Sequence, residues 1–372
     1  MAKLGDIATY INGYAFKPQD WSDEGIPIIR IQDLTGNSYQ ANRYNGEYAS
    51  KYEVNDGDVL ISWSASLGVY IWHGEKAVLN QHIFKVVFDK ERISKDFFVH
   101  QVGLILENAA SDAHGATMKH LTKPVFDALP FYLPPYEKQC EIAEVLDKVT
   151  SLISLRKQQL AKLDELVKAR FVEMFGDPIN NPMNYPKSQL GKVCDVRDGT
   201  HDSPEYYDVG YPLVTSKNVT GGKIDLSECN LISEDDYKKI CERSKVDRGD
   251  IIMPMIGTVG KPVIVNAEPM FAIKNVALIK FTPDLLVTNI YIKTLLESDY
   301  FDRAVLDKIR GGTQKFIALG DIRKLEIILP DLKHQQCFSA FAERVDQQKQ
   351  AIQQSLEKLE LMKKALMQEY FG

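Results

Sequence analysis

Three short polar segments in the first half of this 372-residue sequence have counterparts in the second half, and their side chains are of the kind that contact nucleic acid. Ile61-Ser62-Trp63-Ser64-Ala65-Ser66-Leu67-Gly68 is answered by Pro254-Met255-Ile256-Gly257-Thr258-Val259-Gly260-Lys261. Leu79-Asn80-Gln81-His82 is answered by Ile273-Lys274-Asn275-Val276, and His114-Gly115-Ala116-Thr117-Met118-Lys119-His120 by Arg310-Gly311-Gly312-Thr313-Gln314-Lys315. Asn, Gln, Arg and Lys can pair with base edges, Ser and Thr hydroxyls donate or accept, and Gly lets backbone approach a phosphate. Each residue taken singly is equally at home in a turn; the recurrence of the set favours recognition. The candidates are Ser62, Trp63, Ser64, Ser66, Asn80, Gln81, His82, Thr117, Lys119 and His120 in the first copy. The second copy contributes Thr258, Lys261, Lys274, Asn275, Arg310, Thr313, Gln314 and Lys315, and Arg30, Lys217 and Asn218 complete the set.

No constellation for catalysis stands beside them. Gly257-Thr258-Val259-Gly260-Lys261-Pro262 lacks the spacing of a phosphate-binding loop. The seven His residues form no metal-binding spacing, and the five Cys form no C-x-x-C pair, so no zinc or other metal site is expected. No Glu-x-Lys tripeptide of the kind a nuclease would use occurs, while Asp236-x-Lys238 and Asp331-x-Lys333 are short patterns of common residues. Asn181-Pro182-Met183-Asn184-Tyr185 has some likeness to an adenine-methyltransferase motif, but it lacks the second Pro and reads as a turn.

Composition sets further limits. With 44% hydrophobic and 26% charged residues the chain is globular, and its length fits two or three domains. The net charge of -6 argues at first sight against nucleic acid, since affinity for a phosphate backbone is largely electrostatic. Neither globular half is basic: residues 1–135 carry -4 and 177–331 carry -3. A DNA-binding face would therefore be local, and weak without partners. The longest charge-free run, residues 59–74, is too short and polar to span a bilayer, and the first residues lack the pattern of a signal peptide. A reduced cytoplasm is the expected compartment, with the cysteines as small buried apolar side chains.

The elements that carry these segments are written twice. Leu133-Pro134-Pro135-Tyr136-Glu137-Lys138-Gln139 recurs as Leu329-Pro330-Asp331-Leu332-Lys333-His334-Gln335, an offset of 196. The same offset pairs Glu173-Met174-Phe175-Gly176 with Glu369-Tyr370-Phe371-Gly372. Upstream the offset drifts, as loops of different length require: Leu4-Gly5 answers Leu190-Gly191 at 186, and Asn55-Asp56-Gly57-Asp58 answers Asp247-Arg248-Gly249-Asp250 at 192. Each copy ends in a helix of about 40 residues, roughly 60 Å long, with one apolar stripe. The stripe holds Val145, Val149, Leu160, Leu163 and Leu166 in the first helix and Phe341, Val345, Leu356, Leu359 and Met362 in the second. Such a helix is unstable alone, so the two are expected to pack together. The globular parts read as mixed α and β, with strands near 26–31, 59–63, 69–72, 84–88, 251–253, 263–265 and 277–281, and helices at 95–110 and 289–309.

Taken in order, these segments resemble the DNA-specificity subunit of type I restriction-modification enzymes. The carriers are Lys3-Leu4-Gly5-Asp6-Ile7, Val54-Asn55-Asp56-Gly57-Asp58-Val59-Leu60-Ile61-Ser62, Leu79-Asn80-Gln81-His82, Leu133-Pro134-Pro135 with Gln139, and Met174-Phe175-Gly176-Asp177-Pro178 with Asn181-Pro182. The resemblance implies an α+β fold with target-recognition domains at 1–133 and 187–329. It implies spacer helices at 134–178 and 330–372 that form an antiparallel coiled coil in a pseudo-twofold molecule. Each domain would read one half of a bipartite double-stranded DNA target, with the helix pair setting the gap. The subunit would be non-catalytic and bind no cofactor directly. Two methyltransferase subunits would bring S-adenosylmethionine, and restriction/translocase subunits would join them. The alternatives are a duplicated protein-binding scaffold and a self-contained DNA-modifying enzyme.

Overall fold

A computed structural model describes residues 2–36, 42–112, 121–256, 261–282, 284–305 and 316–372. The chain divides into two compact units, 1–157 with 354–372, and 158–353. The division falls inside the two long helices, Tyr136–Phe175 and Leu332–Phe371, so neither helix is a domain of its own.

The two units repeat one topology. In unit 1 an antiparallel sheet has the order Thr9–Asn12, Ile83–Val87, Val59–Ser62, Gly68–Ile71. In unit 2 the order is Asp195–Asp198, Val276–Lys280, Ile251–Pro254, Val263–Ile264. A second sheet in each unit is built around one parallel pair, Ile26–Ile29 with Ala77–Leu79 in unit 1 and Tyr211–Val214 with Ala272–Ile273 in unit 2. The Asn-Asp-Gly-Asp and Asp-Arg-Gly-Asp segments are the tight turns entering the central strands. Gly57 and Gly249 sit at φ 83° and 92°, where a side chain is strained. The carboxylates of Asp58 and Asp250 close the turns by accepting the Asn55 and Asp247 amides, each at 2.8 Å.

Two expected elements differ. Strand 26–31 stops at Ile29, because Asp33 accepts the Arg30 amide at 2.8 Å and turns 31–34 into a short helix. The helix expected over 289–309 breaks into Asn289–Leu296 and Asp299–Ala304. Ser298 stands at the break: its hydroxyl donates to the Leu295 carbonyl at 2.6 Å, a local bond that competes with continued helix. The cysteines also divide. Cys194 is buried, which pushes its thiol up to about 12, whereas Cys140 and Cys337 are exposed. The Asn181–Tyr185 segment is a turn, held by reciprocal bonds between the Asn181 amide and the Tyr185 backbone at 2.8 and 3.0 Å.

Each unit contains one helix start and the other helix's end, running antiparallel. In unit 1 Lys157 pairs with Glu360 at 3.0 Å. Leu366, Met367, Tyr370 and Phe371 pack against the core of Tyr10, Phe84, Phe97, Phe98, Phe126 and Phe131, with Phe371 edge-on to Phe97 at 5.4 Å. In unit 2 Asp164 pairs with Lys349 at 2.5 Å, Arg170 lies over Phe341, and Phe171 and Phe175 meet Phe338 and Tyr291. The repeated Phe-Gly at each helix end is therefore a core plug.

The protected positions follow a heptad. Along the first helix they are Ile142, Leu146, Val149, Ile153, Arg156, Leu160, Leu163 and Val167; along the second, Val345, Lys349, Ile352, Leu356, Leu359, Lys363 and Leu366. Alternating steps of three and four make one seam along each helix. Val149, Val345 and Leu356 are buried in it, while Leu160, Leu163, Phe341 and Leu359 are half-buried. Val145, Leu166 and Met362 are corrected to flanking positions, 37%, 46% and 44% exposed. Their apolar type put them on the stripe, but the 3.5-residue period turns them outward.

One buried residue joins globular part to helix in the same way twice. Gln139 donates to the Pro134 carbonyl at 2.8 Å and accepts the Ser94 amide at 2.9 Å. Gln335 donates to the Pro330 carbonyl at 2.8 Å and accepts the Thr288 amide at 2.9 Å, and adds a bond to the Leu286 carbonyl at 3.0 Å. Ser94 and Thr288 immediately precede the helices Lys95–Asp112 and Asn289–Leu296. Gln335→Leu takes the partner from one backbone amide and two carbonyls and is expected to cost about 2–4 kcal/mol in denaturant unfolding. An unchanged midpoint would show that water replaces the bridge.

Candidate nucleic-acid interface

In both units the chain crosses from one sheet to the other through a link of two or three residues. In unit 1 the link is Asn80, Gln81 and His82, between Ala77–Leu79 and Ile83–Val87. In unit 2 it is Lys274 and Asn275, between Ala272–Ile273 and Val276–Lys280. The sharp crossing needs a left-handed residue, supplied by His82 at φ 72° and Asn275 at φ 54°. Asn and His are among the side chains that tolerate this region best.

A second loop is bolted to each link. Tyr14 donates its amide to the Leu79 carbonyl and its carbonyl accepts the Gln81 amide, both at 2.8 Å. Thr200 donates to Ile273 at 3.0 Å and accepts from Asn275 at 3.2 Å. The approach is close enough to require glycine: a Cβ on Gly13 would lie 2.0 Å from the Asn80 carbonyl oxygen, and one on Gly199 2.3 Å from that of Ile273. Strand ends complete the clamp, since Ile29 accepts the Asn80 amide at 3.1 Å and Val214 the Lys274 amide at 2.9 Å.

The side chains presented differ between the units. In unit 1 the Trp63 indole donates to Asn12 at 3.1 Å, stands edge-on to His82 at 5.0 Å and stacks on Phe84 at 5.6 Å. The Trp63 carbonyl accepts the Leu121 amide at 3.1 Å. Arg30 lies over the Trp21 ring and 3.7 Å from Asp33. In unit 2 His201 is held at both ring nitrogens, Nδ1 to Asn275 Oδ1 and Nε2 to Asp198 Oδ2, each at 2.8 Å. Asp198 also pairs with Arg243. The bonds to Asn275 and Asp198 raise the His201 pKa, with Arg243 opposing more weakly. Lys274 donates its ammonium to Ser203 at 2.6 Å.

Several candidates are occupied by local structure. Ser62 and Ser64 are buried, with the Ser62 hydroxyl donating to the Ser64 carbonyl at 3.2 Å. Asn80 Oδ1 accepts the Gln81 amide at 2.8 Å. Asn218 is buried and caps a short turn by accepting the Thr215 amide and hydroxyl, both at 2.9 Å. These three side chains are corrected to turn-closing roles for Ser62 and Asn218, and a partly committed one for Asn80. Ser66, Lys217 and Lys261 are exposed. Thr117, Lys119, His120, Thr258, Arg310, Thr313, Gln314 and Lys315 lie outside the described residues. Sequence reasoning missed Asn12, Asp198, His201 and Arg243. The offset of 186 runs on to pair Asn12-Gly13-Tyr14 with Asp198-Gly199-Thr200, and that signal could have found the first two.

The domain described as type I restriction modification DNA specificity domain matches residues 1–165 and 182–361, the two written copies. The chain belongs to this family. It is a specificity subunit of a type I restriction-modification system, with two DNA specificity domains. It is 23% identical to the type I restriction enzyme EcoBI specificity subunit of Escherichia coli, over 89% of this chain and 76% of that one. It is 24% identical to the MjaVIII specificity subunit of Methanocaldococcus jannaschii, over 99% and 90%. In fold it is similar to the type I S subunit of M. genitalium, with a TM-score of 0.54 at 13% identity, covering 100% of this chain and 95% of that one. A chain from a structure of a type I R-M system gives 0.55 at 16% identity, covering 100% and 96%. The same clamp presents His82 with Trp63 in one domain and Asn275 with His201 in the other. Among the described residues no group of His, Cys, Asp or Glu could hold a metal ion, and no helix is long and apolar enough to cross a membrane.

Proposed function

We propose that each specificity domain reads one half of a bipartite double-stranded DNA target, and that the spacer helices set the length of the unread gap. The observation that carries this reading is the clamp built twice with different side chains, one frame offering two chemistries. The helices support the second part: each runs 40 residues without interruption from one unit into the other. The subunit performs no chemistry itself. Two methyltransferase subunits carrying S-adenosylmethionine dock on it in the cytoplasm, and restriction/translocase subunits join them. Exposed Leu152, Leu155, Val172 and Leu361 along the helices offer apolar contact for such partners.

The net charge of -6 fits a subunit that specifies but does not grip. Phosphate contacts come mainly from the partners, and base contacts from this chain. Methylation mapping of a host genome carrying this subunit with its methyltransferase is expected to return one bipartite motif with a fixed gap. A continuous motif, or tight specific binding by the purified subunit alone at physiological salt, would overturn the reading.

A further inference from the structure

The site in unit 2 contains an arrangement that fixes the direction of one amide. His201 bridges Asp198 Oδ2 and Asn275 Oδ1 through both ring nitrogens, 2.8 Å each. A carboxylate only accepts, so Nε2 carries a proton. When Nδ1 is protonated as well, Asn275 must turn its carbonyl oxygen to the ring. Its Nδ2 then has no partner among the described residues and is left for an outside acceptor. When Nδ1 is bare, the stable pairing reverses: Nδ2 donates to the ring and Oδ1 faces outward. The backbone cannot relieve this choice, because Asn275 is pinned at φ 54°, its amide bonded to Thr200 and its carbonyl to the Ser216 hydroxyl.

We propose that Asn275 is a specificity-determining residue of the second domain, presenting its amide N–H donors to an acceptor on a base edge, and that His201 is the positioning residue that holds it so. The inference rests on the reading that this domain contacts DNA through the link. Acceptor edges are guanine O6 and N7, adenine N7 and thymine O4; cytosine N4 and adenine N6 are the donors it disfavours. The unit 1 equivalent, His82, sits at the same left-handed position beside Trp63, so this device belongs to one half-site only.

The charged groups around His201 are Asp198 on the strand before it and Arg243 at the end of Glu234–Ser244, while Lys274 on the link is tied to Ser203. The balance raises the His201 pKa. The cation, and with it the donor-outward amide, is present at low pH and lost as pH rises through that raised value.

The test uses the subunit assembled with its methyltransferase partners. Asn275→Asp keeps the shape and the tolerance of φ > 0 but removes the donors. It is expected to lower methylation of the native target about tenfold or more and to change one position in one half-site, with the other half and the gap unchanged. Discrimination at that position by the native complex is expected to fall between about pH 6 and about pH 9, and His201→Ala to abolish this pH dependence. A bipartite native motif that Asn275→Asp leaves unaltered in sequence and rate overturns the proposal alone. A pH profile shared by native and His201→Ala removes His201 from it. A native map without a bipartite motif overturns the underlying reading and the proposal together.

Discussion

Replacing Val149 and Leu356 together by Asp is expected to unfold the helix seam, at a cost of about 3–5 kcal/mol for each site. Both are apolar side chains at heptad positions, 6% and 5% exposed, and both lie in unit 1. The variant loses the burial of two branched side chains and places two carboxylates where water is excluded. Purified double variant should unfold at markedly lower denaturant than the native chain. Leu361→Asp is the control: at 68% exposure it should change stability by no more than about 0.5 kcal/mol. Equal behaviour of the two variants would mean that the seam does not hold the helices.

Inserting one turn of four residues into both spacers at facing positions should lengthen the gap in the methylated motif by about two base pairs. Four residues add on the order of 6 Å and turn a helix about 40° past a full revolution. Two base pairs add about 7 Å and wind the duplex by about 70°. The mismatch is small enough for DNA twist to absorb, and the half-sites should be unchanged. A seven-residue insertion keeps the seam in phase yet adds about three base pairs with the two rotations more than about 100° out of step. Methylation should fall sharply with it. An unchanged gap in the four-residue variant would exclude the helices as the ruler.

The sequence was most informative where a pattern repeats. The 196 offset located both long helices and the Phe-Gly plugs, and the Gly57 and Gly249 turns were visible as paired motifs. It was less informative where physical role departs from residue type. Val145 and Leu166 read as stripe because they are apolar, while Arg156 and Lys349, whose long aliphatic stems suit a half-buried seam, were invisible to that criterion. At the site, Asn218 and Ser62 have the right atoms for base contact but use them to close their own turns. His201 went unnoticed because its partners, Asp198 and Asn275, are brought to it by pairing between distant strands.

The glutamine bridges bear on how such a subunit can change. Gln139 and Gln335 share two bonds to their globular parts through the same atoms at matching distances, Gln335 adding a third to Leu286, so the two sockets are closely similar couplings. A globular part moved from one half to the other, or received from a related gene, would find the same fitting at its border. New specificities can then arise by exchange of whole cassettes, with the main contacts of the joint already in place.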